Sequence, residues 1–505
     1  MAHVITQNCC KDATCVSVCP VNCIHPGPTE AGHHEAPMLY IDADACIDCG
    51  ACVDACPIDA VVPADSLAPA EVVYADVNRD FYADRRPVAQ RPEGSPLFRA
   101  WEPPSFDWAL PGDFRAPDVA VVGTGPAGMY AVDHLLRHTD ARITLVDRLE
   151  VAGGLVRYGV APDHPATRRI DATFARLRDH PRVEVCLGVE VGRDVSTDQV
   201  AEHFGAVVYA VGASVGRGLG VPGEDLPGSV PGPRAVGWYT GHPDVPADAV
   251  PTDHPRAVVV GTGNVALDVA RVLTGDPDGL RATDAARHAV DAIASGSLRE
   301  VVLLGRRGPE HAAWTAPELR ALVARAAEVG GVEVVLDETG PTDAGDLAGP
   351  GSSASLLADL PRRRVDLAGP PEPGRRVVLR FDARVAELRG NRRVEEVVLD
   401  DGARVTAGLL VSAVGHRGAP VPGLPFDEAT GTVPHEAGRV VGRPGTYVTG
   451  WIKRGSSGGI GDNRADAAET VRTLLADATA GALPRPPRSR RGFHRTARRL
   501  RRTTP

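Results

Sequence analysis

Long apolar runs are missing from this sequence. No stretch approaches the roughly 20 residues that a membrane-crossing helix needs, so no membrane span is expected. Missing too is an N-terminal basic segment leading into apolar residues, the pattern of a secretory signal. The expectation is a cytoplasmic protein. Positive charge is in deficit. The 55 Lys and Arg stand against 65 Asp and Glu, a net charge of −10, which argues against nucleic acid as a bulk partner. Cysteine is nearly absent from most of the chain. Of 10 cysteines, only Cys186 lies outside the stretch from Cys9 to Cys56. Such crowding points to a disulfide-rich secreted domain or to a metal or cluster site. Without a secretion signal, the second reading is favoured.

A chain of 505 residues is too long for a single core. Its hydrophobic share of 43% and charged share of 24% are those of a soluble globular protein. Residues 1–62 form a cysteine-rich zone. Residues 63–115 are rich in Pro and polar residues and read as a connector, with Trp101 and Trp108 expected to pack on a neighbour. From Asp118 to about residue 480 the pattern is β-α-β. A Gly/Pro-rich stretch from about 339 to 375 interrupts it and reads as a loop or insertion. Residues 481–505 are dominated by Arg and Pro and read as a basic, disordered tail.

The cysteines fall into two runs. The second reads Cys46-x-x-Cys49-x-x-Cys52-x-x-x-Cys56-Pro57. Three thiolates on a tight loop can wrap three corners of a cubane cluster, and the fourth, before a proline, turns to another site. The first run has the same spacing but carries Asp12 in the second place: Cys9, Asp12, Cys15, Cys19-Pro20. Crossing the fourth cysteines gives a complete set, Cys46, Cys49, Cys52 and Cys19, expected to hold [4Fe–4S]. It leaves Cys9, Cys15 and Cys56, expected to hold [3Fe–4S] or a labile [4Fe–4S] with Asp12 as oxygen ligand. Carboxylate is a poor ligand for cluster iron, which favours [3Fe–4S]. Zinc is the competing reading, and two interlocked runs each ending in Cys-Pro speak against it. Cys10 could take the place of Cys9, and Cys23 reads as a packed thiol. This stretch resembles the seven-iron ferredoxins.

Beyond the cysteines lie two dinucleotide fingerprints. An apolar strand, Val119–Val122, runs into Gly123-Thr124-Gly125-Pro126-Ala127-Gly128, then a helical pattern, then a second strand ending in Asp147. The glycines allow a tight turn and close approach of a pyrophosphate, the helix N-terminus stabilises its charge, and Asp147 stands where an acid meets ribose hydroxyls. The device recurs at Gly261-Thr262-Gly263-Asn264-Val265-Ala266. There the next strand ends in Gly305-Arg306-Arg307, a guanidinium pair suited to a 2′-phosphate. An inserted segment, about 275–298, lies between. Two such folds imply two dinucleotides, FAD in the first and NADP(H) in the second, with hydride passing between the cofactors. The expected class is α/β: two Rossmann-like domains behind a small α+β ferredoxin-type domain. A flavin disulfide reductase would need a redox CxxC in the nucleotide domains, where only Cys186 is found.

The strings Gly154-Leu155-Val156-Arg157-Tyr158-Gly159-Val160-Ala161-Pro162-Asp163-His164, Gly263 to Arg271, Gly305 to Pro309 and Gly450-Trp451-Ile452-Lys453-Arg454-Gly455 resemble the adrenodoxin reductase family of ferredoxin–NADP reductases. The resemblance covers residues 118 to about 475. It implies a split FAD domain (116–211 and 414–480) with the NADP domain (212–413) inserted. It implies FAD contacts at Gly123, Gly125, Ala127, Gly128, Asp147, Leu155, Val191, Trp451, Gly458, Gly459 and Ile460. NADP contacts would fall at Gly263, Asn264, Val265, Ala266, Arg306, Arg307 and Glu318. His164 and Asp268 would stand near the flavin as proton or polar support. The expected partners are NADPH and a ferredoxin-type acceptor. One departure stands out: Ser456-Ser457-Gly458-Gly459-Ile460-Gly461-Asp462-Asn463 replaces the family's Pro-Thr-Gly, and its extra glycine freedom should loosen cofactor packing. That departure motivates a rival reading, a cofactor-binding redox sensor without turnover.

Overall fold

The computed structural model describes residues 2–28, 30–83, 110–328, 331–338, 353–358 and 360–503, without side chains at 325–328, 353–355 and 498–503. Trp101 and Trp108 of the expected connector lie outside the described residues.

The N-terminal unit is two short strand pairs carrying two cysteine helices. His3–Ile5 pairs antiparallel with Val61–Pro63, and Ile24–His25 with Tyr40–Ile41. The helices Thr14–Val18 and Ala51–Ala55 each end at the last cysteine of a run, with Cys19 and Cys56 in extended conformation as the chain turns to the following proline. The cysteine-rich zone was expected to end near residue 62, and here the structure corrects the sequence. Helix Val73–Ala83 packs on this unit: Asn78 is buried, its Oδ1 accepting from the amides of Ile5 and Ile41 and its Nδ2 donating to the Ile5 carbonyl. Phe81 stacks on Tyr40 at 4.0 Å between ring centroids. The Pro- and polar-rich composition hid an amphipathic helix, and the connector begins only beyond it.

Two sheets follow, the first parallel but for an antiparallel edge at 435–448 and the second wholly parallel. The first orders its strands 435–436, 439–440, 446–448, 206–209, 119–122, 143–146, 183–186. Its centre is Val119–Val122, flanked in parallel by Ile143–Val146 and Ala206–Tyr209. These strands are buried throughout and apolar but for Thr144, because both faces are covered, as parallel sheets require. The second sheet orders strands 229–231, 409–412, 256–260, 300–304, 375–380, 332–337, 362–363, all parallel. It lies within the sequence of the first. The chain passes between the two through one antiparallel pair, Val215–Gly216 with His416–Arg417. Strand order in each sheet reverses beside its glycine turn, where open α/β sheets bind ligands.

The tail also departs from expectation. Residues Arg490–Thr503 form a helix, not a disordered end. Phe493 and Ala497, four apart and so on one face, are buried against the apolar layer of the first sheet with Phe204 and Val200. Rich in arginine, the segment reads as solvated unless that two-residue stripe is noticed. Among the described residues no helix is long and apolar enough to cross a membrane.

Candidate active site and cluster sites

Close backbone packing shapes the first glycine turn. Gly123 has φ +111°, and a Cβ there would lie 2.3 Å from the Ala210 carbonyl oxygen; one on Gly128 would lie 2.0 Å from the Gly123 carbonyl. Helix Pro126–His138 begins at Gly125 and contains Ala127. Asp147 holds the turn: its Oδ2 accepts from Thr124 N at 2.8 Å and Thr124 Oγ1 at 2.6 Å, and its Oδ1 from Leu149 N at 3.0 Å. Leu155, just past the Gly154 contact with Gly125, is exposed. Val191 is buried in the apolar layer that contains Val122, Val146 and Val195.

The second turn opens at helix Asn264–Leu273. A Cβ on Gly263 would meet nothing within 4 Å, so the helix N-terminus has open space before it. Asn264 Oδ1 accepts from Thr315 N at 2.8 Å, and Ala313 N donates to Thr262 O, so the 308–316 loop wraps the turn. Val265 packs on the core and Ala266 is buried in it. Gly305 backs onto Thr262, which brings the end of strand Glu300–Leu304 beside the turn. Arg306 and Arg307 follow there, both exposed, and among the described residues neither guanidinium forms an ion pair with a carboxylate.

A buried ionic cluster lies where the two units meet. Arg271 Nε donates to Asp163 at 2.5 Å and Arg271 Nη2 to Asp268 at 2.5 Å. His164 Nε2 lies 3.2 Å from Glu318 Oε2 and 3.5 Å from Asp268 Oδ1. Burial disfavours the His164 cation, but hydrogen bonding to Asp268 and Glu318 outweighs it and pushes the imidazole up to about 10. Arg271 Nη2 approaches the same nitrogen at 2.5 Å and opposes that shift. Glu318, partly buried, is held below the usual carboxylate range by its bond to His164.

The segment Ser456–Asn463 is tied down. Trp451 Nε1 donates to Ser457 O at 3.0 Å, Ser456 Oγ to His416 O at 2.9 Å, Gly459 N to Asp462 Oδ2 at 2.6 Å, and Asn463 Nδ2 to the carbonyls of Gly459 and Ile460. Gly458, at φ +76°, could not carry a Cβ without meeting the Asp462 side chain at 2.8 Å. The looseness expected from these glycines is therefore corrected: hydrogen bonds fix the turn that the glycines permit.

Thiols of both cysteine runs stand around each buried cysteine. Burial most strongly raises the Cys15 thiol, and the charges that add to it are those of Cys9, Asp12, Cys56 and Cys52. Burial pushes Cys52 up to about 11, with Cys46, Cys19 and Cys49 around it. Cys23 donates its S–H to Cys19 Sγ at 3.4 Å and brings that thiol down to about 5. Cys9 packs in the core of the N-terminal unit, whereas Cys10 packs only against the first-sheet unit, so the two are not interchangeable. Among the described residues, the one His/Cys/Asp/Glu trio with all donor atoms within 4.8 Å is His164, Asp268 and Glu318. The thiols are thus spaced more widely than the ligands of a single zinc ion, at Zn–S of about 2.3 Å, would be, and a cluster fits them better.

Comparison with known proteins agrees with this geometry. A family model described as pyridine nucleotide-disulphide oxidoreductase matches residues 117–346, and one described as 4Fe-4S binding domain matches 39–62. A probable ferredoxin/ferredoxin–NADP reductase of Mycobacterium tuberculosis is 42% identical over 96% of this chain and 85% of its own length. The chain belongs to the ferredoxin–NADP reductase family. Human mitochondrial NADPH:adrenodoxin oxidoreductase is 36% identical over 76% of this chain and 84% of its own. The solved structure of Mycobacterium tuberculosis FprA in complex with NADPH is 39% identical, covers 77% of this chain and 91% of that one, and superposes with a TM-score of 0.69. FAD and NADP are the dinucleotides of this reductase family, and a 4Fe-4S domain precedes them here.

Arg271, Asp163 and Arg464 were missed by reasoning from sequence. Arg271 was within reach, since it falls one helical turn after Asp268. Arg464 was not: it meets Asp12 across 452 residues of sequence.

Proposed function

We propose that this reductase exchanges electrons between NADPH and its own clusters, and through them with an external ferredoxin-type acceptor. FAD held at the first turn would supply the conversion of a two-electron hydride donor into one-electron transfers. Gly123, Gly125, Ala127, Gly128 and Asp147 would hold the FAD pyrophosphate and ribose, and Leu155, Trp451 and Gly458–Ile460 would border the ring end. Gly263, Asn264, Val265 and Ala266 would bind the NADP pyrophosphate at the open helix N-terminus, and Arg306 and Arg307 the 2′-phosphate. His164, charged by Asp268 and Glu318, keeps a positive dipole and a proton at the junction, and excludes water with Arg271 behind it. Cys19, Cys46, Cys49 and Cys52 would hold [4Fe–4S]. Cys9, Cys15 and Cys56 offer one thiolate fewer and suit [3Fe–4S].

The observation that carries this reading is the exposed Arg306–Arg307 pair beside the second turn, in a chain whose thiol unit packs on the first. The sensor alternative loses its motive, because its loose loop is hydrogen-bonded throughout. The test is an anaerobic titration with NADPH, then NADH, read by visible absorbance. Flavin bleaching at far lower NADPH than NADH is expected, and no bleaching by either, with flavin present, overturns the reading. Electron paramagnetic resonance of the oxidised protein should show a three-iron signal; its absence would remove [3Fe–4S].

A further inference from the structure

Asp12 occupies the place of a cluster-ligating cysteine, yet its carboxylate is already in use. Its Oδ1 accepts from Thr14 N at 3.4 Å, and its Oδ2 accepts from the Thr14 hydroxyl. The Asp12 side chain is nearly buried, and Arg464 of the helix Asp462–Thr479 closes on it. Arg464 Nη1 donates to the Asp12 carbonyl at 3.2 Å, to Thr14 Oγ1 at 2.5 Å and lies 3.5 Å from Asp12 Oδ2. Beside this clamp the two backbones touch. Gly461 N donates to Cys10 O at 2.9 Å, and a Cβ on Gly461 would fall 2.1 Å from that oxygen and 2.3 Å from the Lys11 carbonyl carbon. Below it the apolar cores are continuous: Ile58 and Ala60 are buried in the same cluster as Met129, Tyr130 and Leu474. Asp59 and Arg169 close the rim at 3.4 Å.

We propose that Asp12 is the docking residue of the thiol unit and not an iron ligand. With Thr14 and Arg464 it fixes the Cys9/Cys15/Cys56 side against the Gly458–Gly461 turn, and it leaves the other set facing outward, where Cys49 is exposed. A cysteine at position 12 would supply a fourth thiolate and forfeit the charged contact. The substitution that removes a ligand therefore creates the anchor. This rests on the proposed reading of the two sites as cluster-binding, but the clamp itself is a contact between two parts of this chain.

The test uses the full-length protein with clusters assembled anaerobically, as wild type, Arg464→Ala, Arg464→Lys and the isosteric Asp12→Asn. Hydrogen exchange is followed in peptides covering residues 9–14 and 459–464, with iron content, electron paramagnetic resonance and stopped-flow absorbance in parallel. Arg464→Ala and Asp12→Asn should each raise exchange in both peptides by about tenfold or more, as local opening does. Arg464→Lys should restore part of the protection. Iron content and spectra should stay as in the wild type, flavin reduction by NADPH should stay within about twofold, and cluster reduction should slow by about tenfold as the fixed proximity is lost. Unchanged exchange in both alanine and asparagine variants overturns the clamp. Lost iron or an altered spectrum in Asp12→Asn, with exchange at 459–464 unchanged, makes Asp12 a ligand instead. Failure of the wild type to accept electrons from NADPH would sink the proposed function while leaving the exchange result to decide the clamp.

Discussion

His164 Nε2 and Glu318 Oε2 meet at 3.2 Å across the junction of the two dinucleotide units, and each side chain holds the other in its charged form. One comes from the loop after the first turn and the other from the helix Ala316–Glu328 that follows the second. The pair therefore couples the contact between the units to a proton on His164.

That coupling has a definite pH dependence. The folded His164 binds its proton up to about 10, above its ordinary value of 6.5. Its contribution to stability is complete below the unfolded value and is lost as pH rises through the folded one. Thermal unfolding followed from neutrality to pH 10 should show falling stability in the wild type and a flatter profile in Glu318→Gln. Because that substitution breaks a buried pair, it should also cost about 3 kcal/mol near neutrality. Parallel profiles would remove the pair from the stability of the junction.

Arg306→Ala should lower the preference for NADPH over NADH by more than about tenfold, since a charged phosphate contact is worth at least about 1.4 kcal/mol. The ratio of kcat/KM for the two coenzymes measures it. An unchanged ratio places the 2′-phosphate elsewhere.

Phe493 is almost fully buried under the first sheet beside Phe204, with ring centroids 5.3 Å apart. Phe493→Ala should destabilise the protein by about 3–5 kcal/mol, the usual cost of emptying a buried aromatic site. Release of flavin fluorescence on heating would read it. A loss under about 1 kcal/mol would mean the C-terminal helix is only loosely applied.

Removing residues 1–83 should leave NADPH-to-dye activity in place, because both dinucleotide turns lie beyond residue 118. It should nevertheless lower stability by about 2–3 kcal/mol, as Ile58 leaves the core it shares with Met129 and Leu474. Calorimetry against the full chain checks the second part, and a dye-reduction assay the first.

Much of this molecule is legible in its sequence. Glycine turns, cysteine spacing and an arginine pair are local signals, because the chemistry they serve needs neighbouring backbone amides or thiols. The fold class and both turns followed from them. Three features were not local. Helix Val73–Ala83 was masked by composition, although Tyr74, Asn78 and Phe81 face one way. The Arg490–Thr503 helix was masked by its charge. The Asp12–Arg464 contact joins opposite ends of the chain, and no spacing rule reaches across 452 residues. Glycines at 458 and 459 also misled, because freedom of φ was read as looseness when Asp462 and Asn463 stood ready to fix it.

The first sheet is completed only when Thr446–Val448 pairs with Ala206–Tyr209, and the surface that receives the thiol unit, Gly461 and Arg464, is later still. During synthesis, then, the cysteine loops emerge first and their resting place last. At roughly 5–20 residues per second, translation leaves them uncovered for about 20–80 seconds. Iron and sulfide can be delivered to an open nascent unit in that interval, before the reductase closes over the Cys10 face.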